Sequence, residues 1–166
     1  MSNLPKEIER RFSSDRVPNR DELVALDGFD DLGKADAVKH FGGKSWETIY
    51  QHLTQGEQGW TNVRLEEWSL LEPHALRYFL RPYLVYLLDT LERTRPDDAF
   101  VSYLYFQISE VLRIRGESVF DAHQRELLTE IAGVVLATVE RDPKFDIWRN
   151  DIKENINRCL SRLNAA

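Results

Sequence analysis

The feature that most constrains this chain is the stretch from residue 73 to residue 94, where Leu76, Phe79, Leu80, Tyr83, Leu84, Leu87, Leu88 and Leu91 recur three and four apart. In an α-helix each residue turns by about 100°, so this spacing gathers the side chains into one apolar stripe. A stripe that long is stable in water only if other elements cover it. Pro82 falls inside it and brings a missing N–H and a crowding ring, which predicts a kink or two abutting helices.

The partners have the same period. Trp46, Ile49, Tyr50 and Leu53 form a shorter stripe, and Phe100, Leu104, Ile108, Val111 and Leu112 another, with Asp97 or Asp98 as its cap and Gly116 as its stop. Asp121 followed by Gln124 predicts a capping box, after which Ile131 to Val139 is apolar almost all round, the mark of a central helix. Pro143 is expected to open the last helix, with Ile147, Trp148, Ile152, Ile156, Cys159, Leu160 and Leu163 on its buried face. Short helices are expected near 5–13, 20–26 and 35–41, a loop over "TQGEQGWTNV", and at most one short strand at "TNVRL". The reading is an all-α single domain over 1–166, a bundle of about six to eight helices with a proline-interrupted helix near residue 82, less regular over 1–60 and a helical core over 73–163.

Composition narrows the function classes. With 166 residues, 42% hydrophobic and 30% charged, the chain can bury roughly 70% of its unfolded surface and needs no staples. Its 22 basic and 28 acidic residues give a net charge of -6, which disfavours nucleic acid and anionic lipid and favours a basic partner. The single cysteine rules out an internal disulfide and any multi-cysteine zinc cluster. The charged N-terminus and the lack of a long apolar run point to a cytoplasmic protein with no membrane contact.

Motif by motif, chemistry fails to assemble. "HFGGKSW" ends like a phosphate loop, but the first glycine of that loop would fall on Val38, and "KADAVKH" before it is helical. Gly42 or Gly43 is instead a left-handed helix end, and Ser45 caps the next helix. His40, His52, His74 and His123 have no ligand three residues before them, so no metal site is expected. Cys159 lies on an apolar stripe, and the pairs Glu66–Glu67 and Asp97–Asp98 point about 100° apart if helical, so no catalytic set and no cofactor is expected. Arg77 and Arg81, one turn apart, are expected to pair with glutamates of a neighbouring helix.

Charge placement is more telling. From Asp21 to Asp36 six acids face the single base Lys34, a candidate docking surface for something basic. Asp27, Asp30, Asp31 and Asp36 are the steering candidates, and Trp60, in a glycine-flanked polar loop, is the candidate anchor.

Two segments carry a likeness. "FGGKSW", Phe41 to Trp46, and "LEPHALRYFLRPYLVYLL", Leu71 to Leu88, resemble a family of short bacterial proteins of unknown function that pairs a Phe-x-Gly-Lys-x-Trp segment with a Leu-x-Pro-x-Ala-x-Arg-Tyr helix. Arg81 departs from that pattern by standing before Pro82. The family implies no activity. Size and acidity also resemble immunity proteins that neutralise antibacterial toxins. The expectation is a non-enzymatic, cytoplasmic protein-binding module, an immunity protein whose partner is a basic toxin domain. The alternative is a small-molecule binder or enzyme with a site between helices, built on His74, Tyr78, Arg81 and Tyr83.

Overall fold

The computed structural model describes residues 3–13, 16–24, 31–56 and 63–165. These form seven α-helices: α1 (Leu4–Arg11), α2 (Asp31–Phe41), α3 (Trp46–Thr54), α4 (Pro73–Glu92), α5 (Asp98–Arg115), α6 (Ala122–Arg141) and α7 (Arg149–Leu163). Short 3₁₀ segments lie at Arg20–Glu22, Val63–Leu70, Glu117–Val119 and Pro143–Phe145. Among the described residues the one sheet-like contact is an isolated antiparallel bridge between Val24 and Leu71. The architecture is all-α, as the periodicity predicts.

The strand considered at "TNVRL" is not what its described part forms: Val63, Arg64 and Leu65 open a 3₁₀ helix. Its buried residues Leu65 and Trp68, followed by Leu71, are three apart, which matches the three-residue turn of that helix.

α4 lies at the centre. All seven residues from Tyr78 to Leu84 are buried, almost two full turns, so neighbours surround the helix on every side there. Pro82 interrupts the hydrogen-bond ladder but not the helix, which runs unbroken from Pro73 to Glu92. An interior proline costs about 3 kcal/mol in a free helix. Full burial of a leucine or aromatic side chain returns about 1.5 to 3 kcal/mol each, so Phe79, Leu80, Tyr83 and Leu84 together outweigh it.

The caps follow the sequence. Asp97 accepts from Phe100 N–H, Gly116 ends α5 at φ 78°, and Asp121 and Gln124 form a reciprocal capping box on α6. The central position expected for the apolar run of α6 is not observed. Leu127, Leu128, Ile131, Ala132, Val135 and Val139 are buried, whereas Gly133 is exposed and Val134 and Leu136 are only partly covered. The residues there are apolar on more sides than the bundle has neighbours to cover.

The last helix also starts later than expected. Pro143 opens a 3₁₀ turn, α7 begins at Arg149, and the turn between them changes the phase of the stripe. Ile147 is consequently 90% exposed and Trp148 37%, against the expectation that both are buried. Ile152, Ile156, Cys159 and Leu163 do pack inward. They face α5, to which Asn155 is tied by a 2.9 Å hydrogen bond to Ser102 and Arg162 by one of 2.8 Å to the Ser109 carbonyl. One continuous hydrophobic core runs from Leu4 to Leu163.

Candidate functional site

Polar chemistry inside the bundle concentrates where α2, α3, the 3₁₀ segment Val63–Leu70 and α4 meet. α2 ends because Gly43 takes φ 70°, and Lys44 N–H closes the turn on the Phe41 carbonyl at 3.1 Å. Gly42 is required for a different reason. A Cβ there would lie 2.4 Å from the Val38 carbonyl oxygen and 2.9 Å from Arg20 Cγ. Ser45 then accepts from Thr48 N–H at 3.3 Å and starts α3. Gly-Gly-Lys-Ser is therefore a helix end joined to a helix start, with Val38 in the helix before it.

Three contacts join this connector to its surroundings. Trp46 N–H donates to the Tyr78 hydroxyl at 3.1 Å, the Arg81 guanidinium lies 3.8 Å over the Trp46 ring, and the same arginine donates to Glu9 of α1 at 3.2 Å. Arg81 is thus held between an aromatic face and a carboxylate, as its expected pairing with a neighbouring glutamate requires. Arg77 differs and donates to the Val119 carbonyl. Burial raises the Tyr78 phenol above its usual range, partly offset by the Trp46 N–H.

One turn before the glycines, His40 Nδ1 is 2.6 Å from Glu67 Oε1, with only 11% and 10% of the two side chains exposed. A carboxylate on one ring nitrogen fixes the orientation of an imidazole. The immediate consequence here is mechanical, because a buried hydrogen-bonded pair ties α2 to the 3₁₀ segment. Sequence spacing gives His40 no ligand three residues before it and pairs Glu67 only with Glu66, so their meeting is not visible there. The available signal was the three-residue spacing of Leu65 and Trp68, which places Glu67 inside a buried element.

A second cluster lies further along α4. The Tyr50 hydroxyl donates to Asp89 in a very short hydrogen bond, and its phenol is pushed up to about 12 by burial and then by that carboxylate. Arg93 donates to the Tyr86 hydroxyl at 3.3 Å and lies 4.9 Å over its ring. Asp97 is raised by burial, against the lowering effect of the Phe100 N–H it caps. Cys159 is buried, and desolvation pushes its thiol up to about 12, which suppresses the thiolate.

The groups considered for a pocket between helices do not converge. His74 is exposed on the first turn of α4, Tyr78 and Arg81 are engaged as above, and Tyr83 packs edge-on against Trp68 at 4.9 Å. An open groove of about 460 Å³ lies between α1 and α6, lined by Arg10, Arg11, Asp121, His123 and Glu126. Arg11 is committed there to Glu7, Glu126 and the His123 carbonyl. Among the described residues no three His, Cys, Asp or Glu side chains stand close enough to hold a metal ion. No described helix is long and apolar enough to cross a membrane.

Of the surface candidates, Asp27, Asp30 and Trp60 lie outside the described residues. Asp31 is the first residue of α2, and only its backbone is described. Asp36 is exposed on the same helix, with Lys39 also exposed and Lys34 half-buried.

Compared with protein-family models, curated proteins and solved structures, the chain matches none.

Proposed function

We propose that this chain is a non-catalytic protein-binding module, a cytoplasmic immunity protein that binds and neutralises a basic bacterial toxin domain. The observation that supports it is how the ionisable groups of the interior are used. His40 is tied to Glu67, Arg81 to Trp46 and Glu9, and Tyr50 to Asp89, while the Cys159 thiol is buried among apolar side chains. Each of the three tied groups joins one element to another, and recognition falls to the surface, where the net charge of -6 and the acids Asp27, Asp30, Asp31 and Asp36 attract a basic partner.

The test is co-expression with a basic toxin domain taken from whatever toxin-like reading frame a survey of the neighbouring genes turns up. Protection of the host cell together with a purified complex is expected. In that complex, replacing the four acids by asparagine slows association about tenfold at low salt and little at high salt. A toxin that stays lethal in the presence of the chain would refute the proposal.

A further inference from the structure

We draw no further inference here: the strongest candidate, the exposed apolar turn of Ile147 and Trp148 between α6 and α7, carries nothing, because the charges beside it are balanced, with Glu140, Asp142 and Asp146 ion-paired to Lys153, Lys144 and Arg149, and nothing in the structure shows what covers it.

Discussion

Nδ1 of His40 and Oε1 of Glu67 stand 2.6 Å apart in a nearly dry junction, so the last turn of α2 and the middle of the 3₁₀ segment Val63–Leu70 are joined by one buried hydrogen bond. Removing either partner breaks this buried hydrogen bond, which costs about 1 to 3 kcal/mol. His40→Leu and Glu67→Leu are each expected to destabilise by about that amount, and the double variant by less than their sum. Urea unfolding of the three variants checks this, and strict additivity would show that the pair is not coupled.

Substituting alanine for glycine has opposite signs at two positions. Gly42→Ala places a Cβ 2.4 Å from a backbone oxygen that cannot move aside, and is expected to cost more than about 2 kcal/mol. Gly133→Ala, in an exposed part of α6 with open space around the new methyl group, is expected to stabilise by about 0.5 to 1 kcal/mol. Melting temperatures of the two variants that moved in the same direction would contradict the local geometry.

Along the C-terminal segment, a charge is tolerated or ruinous according to which isoleucine it replaces. Ile147→Lys is expected to change stability by no more than about 0.5 kcal/mol, because that side chain is 90% exposed. Ile152→Lys buries an ammonium group in the α5–α7 seam and is expected to leave little folded protein. Far-ultraviolet circular dichroism after purification separates the two.

High pH is expected to weaken the fold in a defined window. Burial holds the Cys159 thiol up to about 12 in the folded state against an ordinary value of 9.0, and the Tyr50 phenol up to about 12 against 10.0. Between the ordinary and the raised values the unfolded chain has lost protons that the folded chain keeps, so stability falls as pH rises from about 9 to about 12. Below that window both groups are protonated in both states and contribute no slope. Cys159→Ala is expected to flatten the alkaline limb of the stability curve and leave the limb near neutrality unchanged. At pH 8 the wild-type thiol should react with a thiol reagent only after unfolding.

Local and periodic features were legible in the sequence. The stripe of α4, the caps at Asp97, Ser45 and Asp121, and the stops at Gly43 and Gly116 each depend on a few neighbouring residues and behave as those residues dictate. Features created by chain reversal were not. His40 and Glu67 are 27 residues apart, and no local pattern announces their meeting. Ile147 and Trp148 fit the α7 stripe numerically, but the turn after Pro143 shifted the phase before the helix began. α6 misled for a third reason, since a sequence records how apolar a helix is and not how many neighbours it has.

The seam between α5 and α7 joins residues 53 positions apart, as at Ser102 and Asn155. During synthesis α5 leaves the ribosome with Tyr105 and its neighbours uncovered until α7 has followed, an interval in which nascent chains are prone to aggregate. Production at lower temperature or with added chaperone should therefore raise the soluble yield, most of all for variants that weaken α7.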